Sequence, residues 1–345
     1  MATSPGLKAA ARVRVLYCLD LFEGPSTGGT ETQFWMLINR LPREQFSVAL
    51  ALLRPSAWLR ANRPEFPVFD VGVNSMMNPR SWWRLFRFAR RMRRAGYRIA
   101  HIYLNDSSIC LPPFLWLAGI RVVISRRDLG FWYTPNILRA LRVTRHFVDR
   151  VIANCTAVAE VTVREEHYAR QSIDVVFNGF SRVPAEPASF VTRRETASLV
   201  LVANLKAIKR IDIAIHALAR LRARGHAATL TLVGGEAPDA EGAEYRAGLE
   251  RLGRDLGVEP HVIFAGRIAD PSALIAGADI CLLCSDSEGL SNAIIEYMFG
   301  GAAIVCTDVG GARDLIDPGV TGVLVPPGDP EKLADAVAAL LDDPH

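Results

Sequence analysis

Two glutamates, Glu288 and Glu296, lie eight residues apart beside a predicted ligand-binding turn. The apolar run 278–284 predicts a buried strand, and the helical pattern of 291–299 ends at Gly300. Glu288 is therefore expected at the carboxyl end of a strand, where ligands of open α/β sheets bind. A carboxylate there would repel phosphate and would accept hydrogen bonds from sugar hydroxyls. A surface acid and a solvated helix position are the alternative.

Three cations follow another predicted strand. The strand is the apolar run 198–205, and Lys206, Lys209 and Arg210 separate it from a helix predicted over 213–221. Their charges converge on the predicted ligand end, so they fit a clamp for a diphosphate whose negative charge grows as it departs. A solvated turn is the alternative.

Paired glycines follow two other predicted strands. Gly28-Gly29 lies between the first strand and the first helix, and Gly234-Gly235 ends the strand predicted at 229–233. Glycines at such places let backbone N–H groups approach an anion closely, although a tight turn would use them equally well.

A basic segment, Arg126-Arg127-Asp128, follows the strand predicted at 122–125. Arginine suits phosphate because its planar guanidinium binds two oxygens at once. The sequence predicts that these arginines bind a phosphate. Arginines that merely cover a strand end are the alternative.

Predicted strands and helices alternate along the chain, which predicts an α/β class with parallel, helix-covered sheets. Strands in the first half are predicted at 12–20, 46–53, 68–71, 101–104, 122–125 and 151–154, and helices at 81–94 and 137–148.

The order of these motifs resembles retaining nucleotide-sugar-dependent glycosyltransferases of the GT-B fold (glycosyltransferase family four, glycosyl transferases group 1). The resemblance covers about residues 12–341 and depends on an ordered set: Gly28-Gly29 with Glu31, Asn178-Gly179, Lys209, Gly234-Gly235, Glu288 with Glu296, and Gly310-Gly311. It implies two Rossmann-like domains whose parallel sheets face an interdomain cleft.

The resemblance also implies roles for the acidic motif. In the family the first glutamate contacts the donor sugar and the second binds the ribose, which assigns these roles to Glu288 and Glu296. The backbone at Gly289, Leu290 and Ser291 would contact the sugar and the phosphate.

The same resemblance implies a phosphate site. Lys209, with Lys206, would hold the donor diphosphate, while Asn204 stands where the family commonly has an arginine. Gly28-Gly29 would face the phosphates from the other domain, and Gly234-Gly235 would bind the nucleotide.

Relatives often place a His-Asp pair where this chain has Arg127-Asp128, so the role of a base cannot be transferred. The departing phosphate itself would accept the acceptor's proton, as is proposed for the family, and no protein nucleophile is then needed. The candidate catalytic residues are Glu288, Lys209 and Arg127, with Arg126, Arg127 and Asp128 on the acceptor or phosphate side. No metal site and no cofactor are predicted, only a nucleotide-diphosphate sugar as co-substrate.

These assignments predict an N-terminal acceptor-binding domain at 1–180, a linker at 181–197 and a C-terminal donor-binding domain at 198–345. Family members usually continue into a final helix that crosses back to the first domain, and this sequence stops before it. A non-catalytic nucleotide-sugar-binding partner and a nucleotide-sugar epimerase of the same fold are the rival functions.

The helix predicted at 81–94 is unusually basic, since the segment 71–105 contains eight arginines and no acid. A basic helix that also carries Trp and Phe is typical of an anionic membrane surface. The residues of such a surface would be Trp82, Trp83, Arg84, Arg87, Arg90, Arg91 and Arg94. The alternative is a helix that buries Trp82, Phe86 and Ala89 in its own domain.

Composition limits the remaining possibilities. Residues 1–178 carry 25 Lys and Arg against 13 Asp and Glu, whereas 179–345 carry 15 against 23. The acidic second half and the absence of a nucleic-acid-binding motif argue against nucleic acid as a partner.

Six cysteines in apolar surroundings and no signal peptide predict a cytoplasmic protein, with the inner membrane face as a hypothesis. The predicted acceptor is a glycan or a lipid-linked sugar of polysaccharide or glycolipid biosynthesis.

Overall fold

The computed structural model describes residues 12–25, 27–73, 78–180, 195–236 and 240–343. The chain divides into two compact units, up to Gly179 and from Phe180 onward. Of the predicted linker 181–197, residues 181–194 lie outside the described residues, and Ala197 already belongs to a strand of the second unit.

The first unit is a parallel sheet with helices in its connections. In the described residues the sheet has seven strands in the order β3-β2-β1-β4-β5-β6-β7. The strands are β1 (Val13–Leu19), β2 (Phe46–Leu52), β3 (Val68–Asp70), β4 (Ile99–Ile102), β5 (Arg121–Arg126), β6 (Arg150–Ala153) and β7 (Ile173–Val175). The helices are α1 (Gly29–Arg40), α2 (Ala57–Ala61), α3 (Pro79–Arg94), α4 (Asn105–Leu117), α5 (Pro135–Thr144) and α6 (Thr156–Glu166).

The second unit repeats the arrangement. Its described part forms a parallel sheet of six strands in the order β10-β9-β8-β11-β12-β13. The strands are β8 (Ala197–Val202), β9 (Ala228–Val233), β10 (Val262–Gly266), β11 (Ile280–Leu283), β12 (Ala303–Thr307) and β13 (Val323–Val325). The helices are α7 (Ile211–Ala223), α8 (Ala240–Asp255), α9 (Ser272–Ala276), α10 (Asn292–Gly300), α11 (Ala312–Leu315) and α12 (Pro330–Asp342).

Apolar runs form these strands because both faces of a parallel sheet are covered. In β11, Ile280 and Leu282 pack into one hydrophobic core and Cys281 and Leu283 into another. Successive side chains of a strand point to opposite faces, so one uninterrupted apolar segment supplies both cores.

The predicted α/β class with two parallel sheets is confirmed, and the predicted strands match β1 to β6 within a few residues. Helix α4 was not predicted, because Pro112 and Pro113 lie inside it and proline usually ends a helix. None of the described helices is both long and apolar enough to cross a bilayer.

Candidate functional site

In the second unit, the strand order reverses between β8 and β11. The chain moves from β8 outward through β9 and β10 and then returns to the other side of β8 at β11. Such a reversal point opens a crevice at the carboxyl ends of the two strands, which is where open α/β sheets bind ligands. The turns after β8 and β11 are therefore the first candidates for a site.

The side chains of Lys209 and Glu288 meet at this point. Lys209 ends the short 3₁₀ turn after β8, and its Nζ donates to Glu288 Oε1 at 2.5 Å. The two side chains are 24% and 13% exposed, so the pair is accessible. Ser285 Oγ donates to the same carboxylate oxygen at 2.7 Å. The structure thus brings together the cation and the acid that the sequence places 79 residues apart.

Backbone and charged contacts hold these two turns to each other. The N–H of Asp286 donates to the carbonyl of Ile208 at 3.0 Å. Arg210, which has a positive φ of 46°, pairs with both Asp212 and Asp286 at 3.0 and 3.1 Å. Arg210 thus already binds two carboxylates, whereas Lys206, the other cation predicted beside Lys209, is exposed.

Gly310 supports the Glu288 turn from behind. Its φ is +56°, and a Cβ at this position would lie 2.0 Å from the carbonyl oxygen of Glu288. The next N–H, from Gly311, donates to the carbonyl of Gly289 at 2.8 Å. Only glycine allows this approach. The pair was part of the family resemblance, but its contact with residue 288 could not be read from the sequence.

The packing of the fold requires glycine at Gly234-Gly235, whether or not a nucleotide binds there. A Cβ on Gly234 would lie 1.8 Å from the carbonyl oxygen of Ala203, and the N–H of Leu205 donates to the carbonyl of Gly235 at 2.9 Å. The glycines thus keep the segment around Asn204 against the end of β9. Their predicted contact with a nucleotide stays a prediction.

The remaining residues of the acidic motif lie at the start of α10. Leu290 and Ser291 are buried, and Ser291 is the N-cap of the helix. Glu296 lies in the second turn of α10 and is half-buried. Its predicted contact with a ribose, like the predicted sugar contacts of Gly289, Leu290 and Ser291, stays a prediction.

In the first unit, the predicted phosphate-binding role of Arg126 needs a correction. Its guanidinium is 5% exposed and binds both carboxylate oxygens of Glu166, at 2.6 and 2.8 Å, while Glu166 is fully buried. Tyr133 donates to the same carboxylate at 2.5 Å, and Ser108 accepts from Arg126 at 2.9 Å. Arg126 is thus neutralised inside the unit and is not available to a phosphate, because extracting it would leave Glu166 charged and buried.

Arg127 is oriented differently. It donates to the side-chain oxygen of Asn178, and burial lowers its pKa, with Tyr103 and Glu31 acting in the opposite direction. Glu31 also folds back over the N-terminus of α1, since its carboxylate would lie 2.5 Å from a Cβ on Gly28. The site at Gly28-Gly29 predicted for phosphate is therefore already faced by a carboxylate.

A small pocket lies at the carboxyl ends of β4 and β5. Asp128 accepts from the N–H of Gly130 at 2.7 Å and from the indole N–H of Trp132 at 3.0 Å. Burial raises the pKa of Asp128. The pocket is lined by Thr30, Leu104, Asn105, Ser125, Arg126, Arg127, Asp128 and Trp132. Of these, Trp132, Leu104 and Asn105 were missed by sequence reasoning because no short motif marks them.

Helix α3 exposes the whole predicted basic surface. Trp82 and Trp83 are 57% and 59% exposed and Phe86 is 38% exposed, whereas Ala89 is buried. The interpretation that the helix buries Trp82 and Phe86 is therefore wrong. Arg87 lies over the ring of Trp83 at 4.4 Å, so the aromatic and basic side chains form one surface.

The cysteine pair Cys281-x-x-Cys284 does not form a site. Cys281 and Cys284 pack into cores on opposite faces of the sheet. All six cysteines are among the described residues, and each is buried and free of disulfides. Across the described ranges, no cluster of His, Cys, Asp and Glu has the arrangement of a metal site.

Two family models match the chain, that of glycosyltransferase family 4 over residues 27–182 and that of glycosyl transferases group 1 over 196–343. N-acetyl-alpha-D-glucosaminyl L-malate synthase of Bacillus anthracis is 32% identical over 295 residues, which cover 81% of this chain and 71% of that protein. D-inositol 3-phosphate glycosyltransferase of Nocardia farcinica is 30% identical over 207 residues, 56% of this chain and 45% of that one. The chain thus spans about half the length of the latter relative.

Solved structures share the fold. The crystal structure of the Anabaena protein HepE in complex with UDP has a TM-score of 0.79 at 22% identity, covering 96% of this chain and 91% of HepE. HepE has also been solved with UDP-glucose, with a TM-score of 0.75. The chain therefore belongs to glycosyltransferase family 4, the glycosyl transferases group 1, and has their GT-B fold.

Proposed function

We propose that the protein transfers a sugar from a nucleotide-diphosphate donor to an acceptor hydroxyl with retention of the anomeric configuration. The observation that carries the proposal is the pair Lys209–Glu288 at the reversal point of the second sheet. A cation and a carboxylate side by side match the two halves of a sugar diphosphate, one anionic and one rich in hydroxyls.

In this reaction the bond between the anomeric carbon and the β-phosphate oxygen breaks, and its electron pair stays on the phosphate. Lys209, with Lys206, would neutralise the charge that develops there. The acceptor oxygen forms the new bond to the anomeric carbon, and its proton passes to the departing phosphate. Glu288 would hold the sugar hydroxyls, while Ser285 donates to its carboxylate and Gly310 packs against its backbone carbonyl.

The relatives suggest which donor to try first. HepE has been solved with UDP and with UDP-glucose. A thermal-shift screen of nucleotide sugars that includes UDP-glucose should find a donor, because a ligand at 100 times its dissociation constant adds ~2.7 kcal/mol of stability. The result that contradicts the proposal is that no nucleotide or nucleotide sugar shifts the melting temperature.

Turnover separates the rival functions. The wild type should release the nucleotide diphosphate from its donor, by transfer or by slow hydrolysis, and Glu288→Ala should not. Donor binding without release by the wild type would indicate a non-catalytic partner. A changed sugar stereochemistry without acceptor would indicate an epimerase.

We also propose that α3 contacts an anionic membrane surface from the cytoplasmic side, where a glycan or lipid-linked acceptor would be presented. The support is the exposure of Trp82 and Trp83 beside the arginines of the same helix. Each cation near an anionic surface adds ~1 kcal/mol, so several together give measurable binding.

Vesicle sedimentation tests this surface. The wild type should bind phosphatidylserine vesicles and not phosphatidylcholine vesicles. Neutralising Arg87, Arg90 and Arg94 to glutamine should abolish binding, while the matched control Arg139, Arg164 and Arg251 to glutamine, all exposed on other helices, should keep it. Equal binding by the two variants contradicts the proposal.

A further inference from the structure

The pocket at the carboxyl ends of β4 and β5 is the best candidate for a second ligand site. It belongs entirely to the first unit and includes Trp132, Asn105, Arg127 and Asp128. The pocket itself has a volume of only about 30 Å³. We infer that it takes a hydroxyl of an uncharged acceptor sugar whose ring lies against Trp132, and that it selects against acceptors bearing phosphate or carboxylate. This inference depends on the proposed sugar transfer, since it assigns the substrate class of the second half-reaction.

The charged side chains around the pocket disfavour an anionic ligand. The side chains that line the pocket or contact its lining contain two arginines, Arg126 and Arg127. Four carboxylates line the pocket or lie beside its lining residues: Asp20, Glu31, Asp128 and Glu166. Outside this group, Arg54 and Asp106 pair with each other at 3.3 Å. Among the described residues, acids thus outnumber cations here, and an added anion would be repelled.

The helix terminus at the pocket is also occupied. Helix α4 begins at Asn105, and its first N–H groups would ordinarily attract an anion. Asp20 already accepts from the N–H groups of Asn105, Asp106 and Ser107 at 3.1, 3.0 and 2.6 Å. A phosphate would have to displace a carboxylate that is itself buried in the unit.

The polar groups that remain suit hydroxyls. The amide of Asn105 can both donate and accept, Asp128 accepts, and the guanidinium of Arg127 donates. A sugar hydroxyl is donor and acceptor at once, so it can satisfy each of them without bringing charge into a partly buried site.

Trp132 supplies the surface for the ring itself. Its indole N–H is fixed on Asp128 at 3.0 Å, and the ring of Tyr133 meets it edge-on with centroids 4.7 Å apart. The C–H bonds on one face of a pyranose carry partial positive charge and match the negative face of an aromatic ring. A tryptophan held in this way is already arranged for stacking, so little ordering is needed on binding.

The backbone at the pocket is strained, as binding sites often are. Leu104 has φ 67° and ψ −176°, a region that is essentially reserved for glycine. Leu104 nevertheless lines the pocket and leads directly into Asn105. The surrounding structure thus holds this turn in a conformation that is unfavourable for leucine.

Binding can be tested without knowing the natural acceptor. Saturation-transfer NMR on the full chain, with UDP added to occupy Lys209, would use a panel of methyl pyranosides, including methyl glucosides, and glucose 1-phosphate as the anionic arm. The wild type should bind at least one neutral glycoside more tightly than glucose 1-phosphate. Trp132→Ala should weaken that glycoside by about tenfold, while the matched control Trp116→Ala, exposed on α4, should not.

A second variant tests the charge argument separately. Asp128→Asn keeps an acceptor for the indole N–H and removes one negative charge. It should therefore reduce the difference in affinity between neutral glycosides and glucose 1-phosphate. Three results overturn the inference: tighter binding of glucose 1-phosphate by the wild type, no binding of any glycoside, or equal loss in Trp132→Ala and Trp116→Ala. UDP binding measured on the same samples reports on the proposed function independently, so the two failures are distinguishable.

Discussion

The two units each contain an ion pair near the carboxyl end of a strand, and the pairs differ in what surrounds them. Arg126 and Glu166 are 5% and 0% exposed, and Tyr133 and Ser108 add further hydrogen bonds to the pair. Lys209 and Glu288 are 24% and 13% exposed. The first pair is therefore enclosed by its own unit, whereas a ligand can reach and separate the second.

The difference shows why burial has to be known before a charged residue is assigned to a substrate. A buried pair broken on one side leaves an uncompensated charge, so its members cannot leave each other for a ligand. A partly exposed pair exchanges its partners at low cost because water screens the separated charges. By this criterion Lys209 and Glu288 are candidates for substrate contact, and Arg126 is part of the scaffold.

Removing one member of the buried pair should give the largest effect. Arg126→Met leaves Glu166 charged and buried, and we expect it to lower the free energy of unfolding of the first unit by about 3–5 kcal/mol. Urea unfolding followed by tryptophan fluorescence reports on this unit alone, because all six tryptophans precede residue 133.

The control for this variant is Arg150→Met. Arg150 pairs with Asp174 at 3.9 Å in the same sheet, but both side chains are more than half exposed. Its loss should cost under ~1 kcal/mol. Equal destabilisation by the two variants would show that Arg126 is not the buried structural residue described here.

Breaking the accessible pair should change ligand affinity and leave stability nearly intact. Lys209→Met should weaken UDP binding by about 1.5–3 kcal/mol, the value of a charge-assisted hydrogen bond. Glu288→Gln should instead strengthen UDP binding, because Lys209 no longer has a carboxylate partner in the empty site. Isothermal titration calorimetry measures both, with Lys332→Met on α12 as the control. Unchanged UDP affinity in Lys209→Met would contradict the assignment.

The sequence predicted the accessible pair better than the buried one, for a physical reason. Lys209 and Glu288 each follow an apolar run, and the carboxyl ends of neighbouring parallel strands meet at one sheet edge. Their proximity therefore follows from strand order. Glu166 ends a helix 40 residues after Arg126, and nothing in the local pattern marks it as the partner.

Other misses have similar causes. Helix α4 contains Pro112 and Pro113, and local propensity alone would end a helix there. Hydrophobic periodicity located α3, but it could not tell whether Trp82 and Phe86 were covered by another element. Exposure of a helix face depends on what the rest of the chain packs against it, and periodicity does not contain that information.

A buried histidine of the first unit, His101, should give the next largest effect, which is on the pH dependence of stability. His101 Nε2 lies 2.8 Å from Ser125 Oγ, and its ring contacts those of Tyr17 and Tyr103. Burial, with a smaller contribution from Arg127, lowers its pKa to about 3. The unfolded chain takes up this proton near pH 6.5 and the folded chain does not, so stability is retained above pH 6.5 and lost as the pH falls towards 3.

We therefore expect the first unit of the wild type to lose up to ~1.4 kcal/mol per pH unit below pH 6.5 through this group, about 2 kcal/mol at pH 5. His101→Gln keeps a partner for Ser125 and should remove the contribution of residue 101 to the pH dependence of the free energy of unfolding. Urea titrations by tryptophan fluorescence at pH 7 and pH 5 measure it. Parallel losses in the wild type and the variant would show that His101 is protonated in the fold.

The smallest expected effect is a difference in stability between two glycine variants. It distinguishes the cost of backbone strain from the cost of displacing the backbone of Glu288. Gly310 and Gly319 both have positive φ, +56° and +80°, so alanine at either costs about 1–2 kcal/mol. At Gly310 the added Cβ would also meet the Glu288 carbonyl oxygen at 2.0 Å, whereas at Gly319 it meets none of the described atoms within 4 Å. Gly310→Ala should therefore be less stable than Gly319→Ala by roughly a further 1 kcal/mol in chemical denaturation.

The same pair of variants should differ more clearly in function than in stability. The turn that Gly310 supports carries the carboxylate that pairs with Lys209, so displacing its backbone moves Glu288 and leaves the lysine in place. UDP binding by Gly310→Ala should then be at least as strong as that of Gly319→Ala, because phosphate depends on Lys209, while the additional affinity for UDP-glucose should be lost. If both variants keep the difference between UDP-glucose and UDP, the donor sugar is held by another residue, and the accessible pair serves the diphosphate alone.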